Sequence, residues 1–240
     1  MRVRTIYDLL DEISPFELQE EWDNSGLIVG NFDWEVDRIY ISLDIDDEVV
    51  REIEPNSLLI THHPLIFKGI KRVNGDTFST KFLIKLIQKN ISLISMHTNF
   101  DKTHLNEYFA RNVLGFSGEV DGFVFYSDVF MEFDELCDLV KKRMGIEVLR
   151  VVRAKDFIKR IAVTTGAGMG LLGKIEADCF LTGDIKYHEA MEAKAREISL
   201  IDIRHYESER YFVDAMYEAI KHFDIDIIKL NSSNPFLDLI

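Results

Sequence analysis

The chain has 240 residues, of which 47% are hydrophobic and 29% charged, and its formal net charge at pH 7 is −14. This composition is typical of a globular protein that can bury a full core. The acidic charge disfavours nucleic acid and anionic membranes as partners, because phosphate binding draws on clustered Lys and Arg, and no apolar run approaches the roughly 18 residues of a membrane span.

The first half of the chain alternates predicted helices and strands. Apolar spacing predicts, in order, a helix over 6–13, strands over 38–43 and 57–61, a helix over 79–88, a strand over 91–96 and a helix over 105–114. The acidic run at 44–48 indicates a further helix start, since carboxylates favour the positive end of the helix dipole. Such alternation is typical of an α/β sheet covered by helices.

The second half repeats this pattern. We predict strands over 123–131, 148–152, 161–165, 179–182 and 200–203, and helices over 134–144, 187–196 and 208–222. The stretch 117–122 is the best seam in the chain. The sequence therefore predicts an α/β fold of two similar-sized lobes, an N-terminal lobe over 1–118 and a C-terminal lobe over 119–240.

Two adjacent histidines, His62 and His63, follow the strand predicted at 57–61 and precede Pro64. Neighbouring residues on an extended backbone point to opposite sides, so this pair can serve two metal ions, one histidine to each. On its own the pair is more typical of a polar strand end. A metal site therefore requires ligands from elsewhere in the chain.

Further candidate ligands also follow predicted strands, at the edge where open α/β sheets bind their ligands. His97 and Asp101 follow the strand at 91–96. His205 and Glu209 follow a later strand, and their spacing of four residues puts both on one face of a helix. Taken singly, Asp101 indicates a helix N-cap. His205 and Glu209, taken without the other candidates, indicate a solvated helix face.

Together these side chains predict a site for two divalent metal ions. The proposed ligands are His62, His63, Asp101, His205 and Glu209. This nitrogen and oxygen set contains no sulfur, and it suits Zn, Fe, Mn, Co or Ni without choosing among them.

Cys137 and Cys179 lie apart in apolar patterns, which predicts buried reduced thiols and a cytoplasmic protein.

Five segments resemble the signature blocks of the NIF-three-like, YbgI-like family, whose members include GTP cyclohydrolase I type 2 homologues. The blocks occur in family order at 21–27, 61–67, 97–101, 183–190 and 205–209. The resemblance covers nearly the whole chain, in the short form that lacks a middle insertion domain. It implies two α/β lobes, a dinuclear metal centre in the cleft between them, and a homohexameric toroid built as a trimer of dimers.

The family's metal ligands fall on the same five residues, and its His-Thr-Asn block places His97 beside the metals. The chain departs from the family at Arg204, where glycine usually precedes the last histidine block. This arginine either meets an anionic substrate or points to solvent. The loop at 102–106 has fewer glycines than is usual, which predicts a stiffer loop. His104 either reaches the site or, as the favoured alternative, is a surface histidine at a helix start.

Three other features leave alternatives open. The glycine-rich stretch at 164–170 is either a tight turn or an anion cradle, and it lacks the P-loop and dinucleotide patterns. Trp22 either lines the cleft or belongs to the core. Lys68, Lys71 and Arg72 indicate a solvated loop, with contact to a phosphate as the less favoured alternative.

The leading functional hypothesis is a metal-dependent hydrolase that acts on a small nucleotide-like or phosphorylated substrate. His97 is the candidate for proton transfer, because an imidazole titrates near neutral pH. GTP ring opening is implied only by the resemblance. The alternative is a non-catalytic regulatory or scaffold protein that binds another protein or, less favourably given its charge, nucleic acid.

Overall fold

The computed structural model describes residues 1–237, which form two compact α/β units. Unit 1 comprises Met1–Phe100 and the described residues from Phe212 onward, whereas unit 2 comprises Asp101–Tyr211. The predicted α/β class with two lobes is confirmed. The lobe limits predicted from the sequence, 1–118 and 119–240, stay a prediction. They differ from the limits of the two compact units.

Helices and strands occur along the whole length of both units. The helices are α1 (Val3–Ile13), α2 (Asp47–Glu52), α3 (Phe78–Gln88), α4 (Thr98–Phe100), α5 (Asn106–Tyr108), α6 (Phe133–Met144), α7 (Tyr187–Ala195), α8 (His205–Glu209) and α9 (Phe212–Ile220). The strands are β1 (Gly26–Val29), β2 (Arg38–Ser42), β3 (Leu58–Thr61), β4 (Ser92–Ser95), β5 (Glu119–Asp121), β6 (Val124–Glu132), β7 (Arg150–Val152), β8 (Phe157–Val163), β9 (Cys179–Thr182), β10 (Ser199–Asp202) and β11 (Asp226–Lys229). Short 3₁₀ helices span Phe16–Leu18 and Gly168–Lys174, and π-helical turns span Asp101–Leu105 and Phe109–Leu114.

Unit 1 contains a five-stranded sheet in the order β1-β4-β3-β2-β11. The strands from β4 to β11 are parallel, and β1 adds an antiparallel edge. Every residue of β3 and β4 is buried, which explains their continuous apolar sequences. Because Ser42, Thr61 and Ser95 are register partners, β2, β3 and β4 end at the same level of the sheet.

Unit 2 contains a six-stranded sheet in the order β5-β6-β8-β9-β10-β7. Its centre consists of the parallel strands β8, β9 and β10, and the outer pairs are antiparallel. Val163 pairs with Leu181, and Thr182 pairs with Asp202. The carboxyl ends of these three strands therefore also meet at one edge.

Most predicted elements are confirmed within a few residues, and the exceptions have physical causes. The helix predicted over 208–222 is wrong as a single element, because α8 and α9 are separate helices in different units. β1, β5 and β11 were not predicted, since short strands at a sheet edge carry little periodic signal. The acidic run does start a helix, with the Asp46 side chain accepting the amides of Glu48 and Val49.

Two further expectations from composition can be compared with the structure. Cys179 is buried and Cys137 half-buried, both are free, and burial raises the pKa of each thiol. No helix among residues 1–237 combines the length and the apolar character needed to cross a bilayer.

Candidate functional site

The structure brings three histidines of unit 1 together beyond the ends of β3 and β4. His62, His63 and His97 each offer a ligand atom, and these atoms lie within 4.8 Å of one another. The ring centroids are 4.9 Å apart for His62 and His63, 5.0 Å for His62 and His97, and 5.5 Å for His63 and His97. The level strand ends explain this convergence, because His62 and His63 follow β3 and His97 follows its parallel neighbour β4.

Strand alternation predicted that His62 and His63 point to opposite sides, and this prediction is wrong: their ring centroids are 4.9 Å apart. β3 ends at Thr61, so His62 and His63 lie in a bend, where alternation no longer applies. The amides of both histidines donate to the carbonyl of Leu43, at 3.2 and 3.4 Å. This shared acceptor turns the two backbone units the same way and lets the rings converge.

Each of these histidines has an acceptor at Nδ1. Nδ1 of His62 lies 3.0 Å from the carbonyl oxygen of Met96, and Nδ1 of His63 lies 2.8 Å from Asp44 Oδ1. Nδ1 of His97 lies 2.8 Å from Asp23 Oδ1. An imidazole that donates from Nδ1 carries its lone pair on Nε2, which is the atom that can bind a metal ion.

Two exposed aromatic side chains flank His97. Trp22 is 61% exposed and Phe67 is 46% exposed. Both rings contact the His97 imidazole edge-on, with centroids 5.9 and 5.5 Å away. Trp22 is therefore a rim residue of the histidine group and not part of the core, which agrees with the alternative that placed it beside the site.

In unit 2, His205 and Glu209 lie together at the start and end of α8. Nε2 of His205 is 2.9 Å from a carboxylate oxygen of the buried Glu209, and Nδ1 is 2.7 Å from Asp184 Oδ2. A neutral imidazole has one proton and can donate to only one of these carboxylates. A second proton or a metal ion at Nε2 is what makes this arrangement favourable.

The glycine-rich stretch forms a tight turn that leaves room for Glu209. The amide of Gly166 donates to Ser208 Oγ, and the amide of Gly168 donates to Thr182 Oγ1. Because protein side chains accept these two donors, the amides of Gly166 and Gly168 are not available to an anion. A Cβ atom at Gly166 would come 1.9 Å from Glu209 Oε1, so this glycine is needed for clearance.

Arg204 adopts a backbone conformation that favours glycine, with φ 61° and ψ 161°. This conformation is consistent with the glycine that the family resemblance leads one to expect at this position. Its guanidinium donates to Glu207 Oε1 and to the carbonyl of Val148, each at 3.2 Å. The side chain therefore packs along unit 2 and does not simply point to solvent.

The remaining candidates are Asp101 and His104, which lie in a π-helical turn, and the lysines that follow the histidine pair. Asp101 begins a π-helical turn in unit 2, a type of irregularity that is frequent at functional sites, and its carbonyl accepts from the Asn106 side chain. His104 is partly buried, and burial lowers its pKa. Lys68 and Lys71 lie in an exposed loop, as predicted.

Sequence reasoning missed Asp23, Asp44 and Asp184 as residues of the site. Asp23 and Asp184 lie within two of the five family blocks, and Asp44 lies in the acidic run at 44–48, but none of them was identified as the partner of a histidine. Asp44 and Asp184 do follow β2 and β9, the neighbours of the strands that carry their histidine partners. A search for carboxylates one or two residues beyond the predicted strands at 38–43 and 179–182 could have found these two.

Comparisons with known proteins identify relatives along the whole chain. The family model for Duf34/NIF3 (NGG1p interacting factor 3) matches residues 1–235. A Campylobacter jejuni protein called GTP cyclohydrolase 1 type 2 homolog is 50% identical over 238 residues, covering 98% of this chain and 99% of its own. A Helicobacter pylori protein called GTP cyclohydrolase 1 type 2 is 43% identical over 236 residues, covering 97% of each chain.

A solved structure agrees with these sequence matches. The crystal structure of a Staphylococcus aureus hypothetical protein superposes with a TM-score of 0.88 at 28% identity, covering 100% of this chain and 99% of the other. The resemblance inferred from the five sequence blocks is confirmed.

The clearance at Gly166 gives a testable prediction. Gly166→Ala should displace the Glu209 carboxylate and should cost about 1–3 kcal/mol of stability, because φ at this position is +62°. Gly170→Ala is the matched control, since a Cβ there would meet nothing within 4 Å. Stability to urea and metal affinity should both fall for the first variant only. Unchanged stability and affinity in Gly166→Ala would rule out the clearance role.

Proposed function

This chain belongs to the Duf34/NIF3 family, and we propose that it is a dinuclear-metal hydrolase acting on a small nucleotide-like or phosphorylated substrate. The proposed ligands of two divalent ions are His62, His63, Asp101, His205 and Glu209. His97 is proposed as the group that transfers a proton. The names of the relatives at 50% and 43% identity support the choice of a nucleotide-like substrate.

The observation that carries the metal proposal is the convergence of imidazoles in unit 1. Three histidines whose ligand atoms lie within 4.8 Å of one another form an unfavourable group if all are charged, and a favourable one around a cation. In unit 2, Glu209 is a buried carboxylate that faces the nitrogen of His205, which is a second place where a cation fits. Imidazole and carboxylate donors suit borderline divalent ions.

Bound divalent ions would supply Lewis acidity and would lower the pKa of a coordinated water. The chain's own residues would then position the substrate and handle protons. His97 can accept or release a proton at Nε2 while Asp23 holds its Nδ1. The exposed faces of Trp22 and Phe67 offer stacking surfaces for a flat heterocycle beside His97.

Metal content is the first test of this proposal. Elemental analysis of protein reconstituted with a divalent metal should find two ions per chain. His63→Ala and Glu209→Ala should each lower this number, whereas His222→Ala, which changes an exposed histidine, should leave it unchanged. A value below one ion per chain in the unaltered protein would contradict the dinuclear proposal.

Turnover is the second test. The metal-loaded protein should hydrolyse at least one member of a panel of nucleotides and phosphoesters, and His63→Ala should abolish this activity. His97→Ala should lower kcat about 10²- to 10⁴-fold while metal content is retained, as expected for a proton-transfer group. Full metal content without turnover across the panel would overturn the hydrolase proposal and favour a regulatory or scaffold role.

The homohexamer is also carried forward as a proposal, on the strength of family membership. Light scattering of the purified protein should give the mass of six chains. A mass near that of one chain would exclude the ring.

A further inference from the structure

The Asp23 carboxylate is built into unit 1 as a fixed acceptor. Its side chain is 0% exposed, and it accepts from His97 Nδ1 at 2.8 Å, from the amide of Asn24 at 2.7 Å and from Ser25 Oγ at 3.1 Å. The amide and hydroxyl of Thr98 also donate to it. Burial raises the pKa of Asp23, but the hydrogen bonds from His97, Thr98 and Asn24 together hold it well below its usual range.

Asp44 and Asp184 make the same contact in more open surroundings. Asp44 is 41% exposed and lies 2.8 Å from His63 Nδ1, and Asp184 is 56% exposed and lies 2.7 Å from His205 Nδ1. Solvent does not impose these contacts, since both carboxylates could instead be hydrated. The same Asp–Nδ1 geometry therefore occurs three times, twice in unit 1 and once in unit 2.

Strand register explains two of the three pairs. Asp44 and His63 each lie two residues beyond Ser42 and Thr61, which are register partners in β2 and β3. Asp184 follows β9 by two residues and His205 follows β10 by three, and these strands also pair in parallel. An aspartate after one strand thus meets a histidine after the next strand.

The histidines outside the site differ from these three. His188 and His222 are exposed, and His104 Nδ1 lies 2.8 Å from the hydroxyl of Thr103. The aspartate contact therefore occurs at three of the four histidines that the proposed function uses, while the fourth, His62, has the carbonyl of Met96 at Nδ1. Among the described residues, it occurs at none of the three histidines outside the site.

We propose that Asp23, Asp44 and Asp184, the three orienting aspartates, are positioning residues that hold His97, His63 and His205 with the proton on Nδ1 and Nε2 turned toward the metal ions. A carboxylate at the far nitrogen fixes the ring orientation of a metal-binding histidine and raises its basicity as a ligand. The metal part of this proposal rests on the proposed function. The tautomer part does not, because the contacts belong to the protein itself.

The first measurement uses metal-free protein and is independent of metal binding. Nitrogen-15 NMR of histidine-labelled protein, at a pH where the imidazoles are neutral, should show the Nδ1–H tautomer for His63. His205 is tested only by metal affinity, because in metal-free protein its Nε2 also faces the buried Glu209 carboxylate. Asp44→Asn should shift His63 toward the Nε2–H tautomer, since an amide can donate to Nδ1. Asp44 and Asp184 are half-exposed, so their asparagine variants should fold, and circular dichroism checks that they do.

The second measurement is metal affinity by competition with a chelator. Asp44→Asn and Asp184→Asn should weaken binding about 10- to 100-fold, the usual effect of removing such a partner. Asp8→Asn in unit 1 and Asp121→Asn in unit 2, which change exposed carboxylates, are the matched controls and should bind as the unaltered protein does.

The outcomes separate the two proposals. If the unaltered protein binds no metal, the proposed function fails, and the tautomer measurement alone decides the orienting role. If the unaltered protein binds metal but the variants keep both its affinity and its tautomers, the orienting role is overturned. Asp23→Asn extends the test to His97, and failure of that buried variant to fold leaves the other two variants decisive.

Discussion

Parallel strand register is the constraint on which the candidate site depends. In unit 1, β2, β3 and β4 end level with one another, and in unit 2 the neighbouring strands β9 and β10 do the same. Residues that are far apart in sequence therefore emerge at one edge of each sheet. A shift of register by one residue would turn every side chain of the shifted strand to the other face and would move the residues that follow it along the sheet edge. The hydrophobic pattern that fixes register thus also fixes the chemistry.

Some of the acidic residues of this chain are buried and contact histidines of the candidate site. Asp23 and Glu209 are buried carboxylates, and each faces an imidazole nitrogen. Burial of an unpaired charge is costly, so these groups restrict their neighbours to partners that carry a proton or a cation. These buried carboxylates therefore favour a proton or a cation beside them, and the net negative charge of the whole molecule is a separate property.

The sequence predicted the features that are encoded locally. The apolar runs of β3, β4, β9 and β10 were found because strands buried on both faces have continuous hydrophobic sequences. The histidines at their ends were found for the same reason. The limits of the compact units, the β11 edge and the orienting aspartates depend on long-range pairing, which periodicity does not report. The convergence of His62 and His63 depends on a bend that follows the strand, which no pattern in the sequence marked.

The position of β11 has a consequence for biosynthesis. This strand pairs with β2 in unit 1, yet the ribosome makes all of unit 2 between them. A nascent chain must therefore keep the open edge of β2 from other partners while more than a hundred further residues are translated. Unit 2, which is continuous in sequence, can fold during this interval, and unit 1 closes only when the final strand arrives.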